Sequence, residues 1–314
     1  MAPDAAFIGL YILDVLGRPV TSIPEGGGVE FIEEIRLTVA GTAGGTVIDA
    51  AKLGLNCAAV GAVGSDEKAD WMMLTLEKHK IDTTMMQRID GVPTSATILN
   101  VRPNGERPAL HARGASDHFD ISPSEYDRVL AAPIIHLGGT GLLAGLDGAR
   151  SVDILAAAKA RGRITTWDLV GARAETAALV LPLLPHIDYF MPSIEEASVM
   201  CGLAVPEDIA RFYLDRGITA CVLTMGAEGA FYAHQDGTRL RSPAYEIPIV
   251  DTTGCGDAFD AGFITALHHK MDIETALRFA QAAAGLVASG LGSDAGIASF
   301  DQTWACMKTW TIKR

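Results

Sequence analysis

The sequence predicts an α/β fold in which a mostly parallel sheet is covered by helices on both faces, with a smaller β region set apart. From Ile134 onward, short apolar strands alternate with helical stretches of 10 to 15 residues, the mark of a parallel sheet buried on both sides. Two earlier segments, Val20–Ala40 and Thr94–His111, instead contain period-two stretches, Glu34–Val39 in the first, as half-exposed strands do. Of the 314 residues, 49% are hydrophobic but only 6% aromatic, while Ala and Gly are plentiful, which suits close helix-on-sheet packing rather than a platform for stacking bases.

The apolar run from Ala5 to Leu16 reads as the first strand. Asp14 interrupts it and no basic region precedes it, which argues against a signal peptide. Next comes a Gly26-Gly27-Gly28 break, then the alternation of Ile35, Leu37 and Val39. The helix Gly45–Leu53, strand Cys57–Val63, helix Lys68–His79 and a short strand near Thr84–Gln87 follow. Thr94–His111 turns at Pro103-Asn104-Gly105 and reads as a hairpin. With the 15–40 region, the 93–115 region is expected to form a small sheet acting as a lid over a cleft at the strand C-termini of one 1–314 domain.

The regular alternation then runs through strand Ile134–Leu137, helix Asp147–Arg161, strand Ile164–Asp168, helix Glu175–Leu184 and strand Tyr189–Met191. Helices Ile194–Cys201 and Pro206–Asp215, strands Ala220–Thr224 and Gly229–His234, and two helical regions complete it. No repeat or low-complexity tract interrupts the chain.

A formal charge of −13 would repel a nucleic-acid backbone or an anionic membrane over most of the surface, so neither is expected as a partner. Pro182 and Pro185 break the longest apolar stretch well short of a membrane span. The five cysteines form no C-x-x-C pair, the eight histidines no metal-ligand spacing, and a reducing, cytoplasmic setting fits.

The most informative stretch is Asp251–Phe263, D-T-T-G-C-G-D-A-F-D-A-G-F. Its glycines permit a tight turn, so the amides of Gly254, Cys255 and Gly256 can converge at the positive end of a helix expected to start near Ala258 and bind an anion there. Asp257 stands beside that point, placed to take a proton from a hydroxyl while the amides hold charge on a phosphoryl group in transfer. The bland alternative is an ordinary N-cap aspartate. The helix terminus also suggests a lowered thiol pKa at Cys255, against which stands a small packed thiol.

This stretch resembles the second signature, D-T-x-G-A-G-D, of the ribokinase-like (PfkB) carbohydrate kinases, departing only at Cys255. The resemblance implies a three-layer ribokinase-like fold, ATP and Mg²⁺ as cofactors, and Asp257 as catalytic base beside the Gly254–Gly256 anion hole. Ala43-Gly44-Gly45-Thr46-Val47-Ile48-Asp49 resembles the first signature, G-G-x-x-x-N, which touches the sugar; Asp49 stands where Asn is usual, and Asp14 where the first strand presents a substrate-binding Asp. Such carboxylates accept strong hydrogen bonds from hydroxyls and repel acids, favouring a neutral sugar or polyol. Arg113, at the end of a lid strand, is the objection: it either reverses the local charge or is a solvated arginine. Ribokinases proper carry a Glu in the region held here by Gly138-Gly139, which makes ribose doubtful and keeps a nucleoside in play if the glycines leave room.

Ser193 and Glu196 resemble the N-x-x-E element whose Glu orders the magnesium water shell, though the same residues also make a capping box. Thr224, Gly226 and Gly229 resemble the T-x-G-x-x-G loop along the nucleotide, and Gln281 opens a small-residue helix like the wall against which adenine packs. Asp251 and Thr253 resemble part of a monovalent-cation loop, which implies K⁺. Asp168 and Arg173 loosely resemble a D-x-N-x-R segment of fructokinase-like members. The exposed edge of a lid could pair two subunits. Three rival readings are weighed: a nucleoside kinase, a non-catalytic sugar-sensing module, and a nicotinamide-dependent dehydrogenase, which lacks G-x-G-x-x-G after the first strand.

Overall fold

The computed structural model describes residues 2–313. Its strands are β1 (Ala5–Gly9), β2 (Ile12–Arg18), β3 (Glu34–Ala40), β4 (Cys57–Gly64), β5 (Asp82–Ile89), β6 (Ala96–Asn100), β7 (Ala109–Ala112), β8 (Ile134–Thr140), β9 (Ile164–Leu169), β10 (Tyr189–Phe190), β11 (Ala220–Thr224), β12 (Ala230–His234) and β13 (Arg239–Ser242). Its helices are α1 (Gly44–Lys52), α2 (Glu67–Lys78), α3 (Tyr126–Val129), α4 (Ala149–Ala160), α5 (Ala177–Val180), α6 (Ile194–Cys201), α7 (Pro206–Leu214), α8 (Cys255–His268), α9 (Ile273–Ala288) and α10 (Phe300–Thr309). Nine strands make one sheet in the order β13-β12-β11-β10-β9-β8-β1-β4-β5, parallel except for β12 and β13. The protein is therefore an α/β fold with a mostly parallel central sheet and a second, four-stranded sheet in the order β3-β2-β6-β7.

Alternate side chains of each central strand enter opposite cores, as the two-residue period requires. Ala5 and Phe7 of β1 join Val47, Met72, Phe263 and Phe279 on one face; Ala6 and Ile8 join Ile154, Leu155, Ile209 and Tyr213 on the other. Both faces are apolar, so these strands read as nearly continuous hydrophobic runs. No helix of the described residues is long and apolar enough to cross a membrane.

The segment expected to be one first strand is two. Gly9 has φ +135°, and a Cβ there would lie 1.9 Å from the Gly138 carbonyl oxygen, so β1 and β8 approach too closely for any side chain. The chain leaves the central sheet at this point, and β2 carries Asp14 into the small sheet, paired with β3 and β6. The expected helix Glu175–Leu184 is also shorter. Only Ala177–Val180 is α-helical and the rest is 3₁₀, because Pro182 and Pro185 cannot donate the backbone hydrogen bonds of a continuous helix.

The small sheet has two unlike faces. Thr38, Asp14, Thr97 and His111 stand in register across it on one side, with Leu16 and Leu99 one step further along packed on Leu291. Leu37, Val15, Ile98 and Leu110 form the matching row on the other side, where Ile98 is 52% and Leu110 66% exposed.

Candidate active site

The D-T-T-G-C-G-D segment begins its helix earlier than the sequence suggests. Gly254 takes the left-handed conformation (φ +76°) and caps α8, which starts at Cys255. A Cβ on Gly254 would lie 2.4 Å from Ser293 Cα, so both conformation and space demand glycine. Asp251 fixes the loop. Its Oδ1 accepts from Thr253 N (3.0 Å) and Oγ1 (2.8 Å), and its Oδ2 accepts from Gly292 N (2.9 Å), tying this turn to the loop after α9.

The amides of Gly254, Gly256 and Asp257 have no partner among the described residues, while the Cys255 N–H points to Thr252 O at 3.4 Å. The donors available to an anion thus differ from the expected set in one member, with the Asp257 amide in place of that of Cys255. The Cys255 thiol is pushed up to about 12 by burial and by the carboxylates of Asp251, Asp257 and Asp49, with Arg107 opposing. Burial, with those acids, overrides the helix terminus, and the thiol is not activated.

Asp257 lies where two turns meet. A Cβ on Gly45 would come within 2.6 Å of Asp257 Oδ2, so the Gly44-Gly45 turn passes directly over the carboxylate. Asp49, one turn into α1, is fully buried, and both its oxygens lack a hydrogen-bond partner among the described residues. Asp14, 6% exposed, reaches the same region from β2. Burial, and then the charges of Asp14 and Glu196, raise the Asp257 carboxyl to about 8 against a pull from Arg107; burial raises Asp14 to about 7, against its bond from Thr97, and Asp49 lies well above the carboxylate range. A native core seldom leaves buried carboxyl oxygens unpaired. Hydroxyl donors of a polyol are the groups that would satisfy them.

On the far side of the α8 terminus opens a cavity of about 540 Å³. Thr224, Gly226, Gly229, Gln281, Cys255 and Gly256 line it, so the glycine loop, the small-residue helix and the anion-binding turn share one space. Close helix packing creates it: a Cβ on Gly262 of α8 would lie 2.8 Å from Ala280 Cα, which brings Gln281 and Ala284 to the wall. That volume and its mostly apolar lining suit a nucleotide. Tyr245–Ile247, Ile249 and Lys313 also line it, with the C-terminal strap held by Glu246 N to Thr311 O (2.9 Å) and Lys313 N to Ala244 O (2.8 Å). These residues carried no sequence signal, because they reach the cavity only through the strap's contacts.

Ser193 and Glu196 form the capping box, with Ser193 Oγ donating to Glu196 Oε2 (2.7 Å) and Ser193 bridged to Thr224. Glu196 Oε1 accepts from Gly171 N (3.0 Å), so its carboxylate is held in one orientation. Among the described residues no three acidic, histidine or cysteine side chains converge as a direct metal site. A magnesium ion carried on phosphates and water, facing one fixed carboxylate, fits this donor set.

Several residues are placed differently. Arg113 Nη1 donates to Asp117 Oδ1 (3.1 Å), so a carboxylate outside the cleft already meets its charge. Gly138 leaves no pocket. Its Cβ would lie 2.7 Å from the Thr42 carbonyl carbon, and that of Gly139 (φ +102°) 2.4 Å from Leu10 Cβ, so the Thr42 backbone and the Leu10 side chain fill the space that seemed open to a base. Asp168 is buried against Asp260 of α8; burial, and then the charge of Glu196 on Asp168 and of Asp168 on Asp260, raises both carboxyls well above the usual range. His136, inside the sheet, bonds to Thr166 Oγ1 and Thr42 O and is held neutral by burial.

Comparison with known proteins agrees with this architecture. The model of the pfkB family carbohydrate kinases matches residues 3–299. The ribokinase of Haemophilus influenzae is 27% identical over 284 residues, covering 86% of this chain and 88% of its own. The 2-dehydro-3-deoxygluconokinase of Thermoproteus tenax is 26% identical over 312 residues, covering 95% and 93%. Among solved structures, Arabidopsis thaliana ribokinase complexed with ribose and ATP superposes with a TM-score of 0.82 at 21% identity, covering 98% of this chain and 99% of that one. An E. coli structure described as a ribokinase II in complex with ATP and Mg²⁺ superposes with a TM-score of 0.82 at 18% identity, with the same coverage. At these identities the structural likeness speaks for the fold alone.

Proposed function

The chain belongs to the pfkB family of carbohydrate kinases, and from that membership we propose that it transfers the γ-phosphoryl group of ATP to a hydroxymethyl group of a neutral sugar or related polyol. One observation carries the reading: Asp257 stands between unpartnered α8 amides facing the cavity and the Gly45 turn with its buried acids. Asp257 takes the proton of the attacking hydroxyl, and its elevated basicity matches that task near neutral pH. The Gly254, Gly256 and Asp257 amides hold negative charge on the phosphoryl oxygens. Asp14 and Asp49 accept hydrogen bonds from the remaining hydroxyls of the substrate, and in their ionised forms disfavour an acidic one.

Thr224, Gly226, Gly229 and Gln281 bind the nucleotide, and Ser193 keeps Glu196 turned toward the magnesium water shell. When bound, Mg²⁺ would supply positive charge to the phosphates of ATP, with Glu196 holding its water shell. A monovalent cation such as K⁺ would sit between the loops that Asp251 and Thr253 join to Gly292. The apolar row Leu37, Val15, Ile98 and Leu110 supports a homodimer through the lid sheets, and Ile98→Asp should then lower the mass seen in light scattering.

Release of ADP tests the main reading, screened over neutral sugars, polyols, sugar acids and nucleosides, with and without potassium. A neutral sugar should be the best acceptor, and Asp257→Asn should lose about 10²- to 10⁴-fold in rate while still binding Mg·ADP. Wild-type turnover by that variant would remove the base assignment. A sugar acid as best acceptor would remove the substrate class.

A further inference from the structure

The 540 Å³ cavity read as the nucleotide site is poor in positive charge. Among the described residues Lys313 is the only lysine or arginine that lines it, Glu246 lines the same wall, and the protein as a whole carries a net charge of −13. Lys313 makes no ion pair among the described residues, so its charge is not already spent.

The position of Lys313 is built by the strap that follows α10. Trp310 leaves that helix in an extended conformation (ψ 143°) and packs against α9 where Gly285 leaves a notch: a Cβ on Gly285 would lie 2.7 Å from Trp310 Cζ3 and 3.4 Å from Ile247 Cδ1. Tyr245 meets the indole edge-on with ring centroids 5.7 Å apart, and its hydroxyl donates to Met307 O (3.0 Å). Beyond the indole, Ile312 pairs with Tyr245 in an antiparallel bridge, and Lys313 N donates to Ala244 O (2.8 Å). Ala244 in turn abuts the glycine loop, since a Cβ on Gly229 would lie 2.8 Å from Ala244 N. Lys313 is thereby set beside the Thr224–Gly229 loop, with Gly285 and Ile247 as the part of the cavity wall that backs onto Trp310.

We propose that Lys313 binds the phosphates of the nucleotide and that Trp310 is the residue that positions it, by seating the strap in the Gly285 notch. This rests on the nucleotide reading of the cavity. An anion entering a protein of this net charge is repelled by the whole, and a single ammonium at the cavity wall offsets that repulsion locally. A compact charge on a flexible stem suits a phosphate held at the edge of a site rather than at its centre. Because the ammonium is exposed to water, its contribution should be screened by salt.

The test is calorimetry of Mg·ADP binding to the full chain at low and high salt, with steady-state kinetics for ATP. Lys313→Ala should raise the Kd for Mg·ADP about tenfold at low salt and flatten its salt dependence, with the loss falling on the KM for ATP rather than on kcat or the KM for the acceptor. Lys313→Arg should keep most of the affinity. Trp310→Ala should raise the Kd similarly and Trp310→Phe less. Gly285→Ala, whose new methyl group displaces the indole, should weaken binding in the wild-type background but add little to Trp310→Ala, since both act through the strap. Unchanged affinity and salt dependence in Lys313→Ala would overturn the phosphate contact, whether or not the Trp310 variants fold. Full additivity of Gly285→Ala and Trp310→Ala would overturn the positioning role. Failure of the wild-type protein to bind Mg·ADP at all would remove the nucleotide reading, and this proposal with it.

Discussion

At the head of α8 the amides of Gly254, Gly256 and Asp257 have no partner among the described residues, whereas at the head of α1 the amides of Gly44 and Gly45 are spent on Leu10 O (3.1 Å) and Gly41 O (2.7 Å). In sequence both sites are a glycine turn followed by a helix of small residues. Their chemistry differs because one terminus offers donors and the other offers only closeness. Gly45 is needed for what it lacks, since any Cβ there would push into the Asp257 carboxylate. Gly254 is needed for the left-handed backbone that turns the α8 amides outward. A glycine signature before a helix therefore does not by itself indicate an anion site; the fate of its amides decides.

The contrast can be broken most sharply at Gly254. Gly254→Ala places a Cβ against Ser293 and forces a left-handed alanine, which costs about 1–3 kcal/mol for the backbone alone. Its melting temperature and its rate of ADP release should fall together; a fully active Gly254→Ala would show that the amides need no such turn. Gly45→Ala should behave differently. Its α1 backbone is ordinary helix, so thermal stability should hardly change, but displacement of Asp257 by a fraction of an ångström to an ångström should cost about 10² in kcat. Equal losses of stability in the two variants would erase the distinction.

The acid between the turns supplies a finer test. With Asp257 at about 8, kcat/KM should rise about tenfold per pH unit from pH 6 toward 8 and then level, because only the ionised carboxylate accepts a proton. Burial first, and then Asp14 and Glu196 against Arg107, set that value, and a profile flat over this range would remove Asp257 as the titrating base. The smallest effect is expected one helical turn further on. Asp260 has a folded pKa well above the 3.8 of the free group, so at pH between the two the unfolded chain releases a proton that the folded chain keeps, and stability falls as pH rises. Asparagine does not titrate. Asp260→Asn should therefore gain stability relative to wild type as pH goes from 5 to 8, by a few degrees in melting temperature, and no gain would mean that the fold does not hold Asp260 protonated.

Much of this protein was legible from local pattern. Strands such as Ile134–Leu137 and Ala220–Thr224 announce a parallel sheet because burial on both faces requires uninterrupted apolar runs. Asp251–Asp257 announces an acid beside an anion-binding turn because turn, helix terminus and carboxylate lie within one short stretch of chain. Boundaries were harder to read. Nothing near Gly9 signals that the first apolar run must split, since the cause is the Gly138 carbonyl on a neighbouring strand, more than a hundred residues away.

By itself the sequence determined the α/β class, the two-faced small sheet and the identity of the acid beside the α8 turn, all of which depend on short-range periodicity and backbone conformation. Only the tertiary structure decided which amides stay free, that Gly138 fills space rather than opening it, and that Arg113 is already paired with Asp117. Each of these depends on distance between parts of the chain remote in sequence. Such distances are set by the order of strands in the sheet and by how closely the helices pack on it, which no single segment encodes.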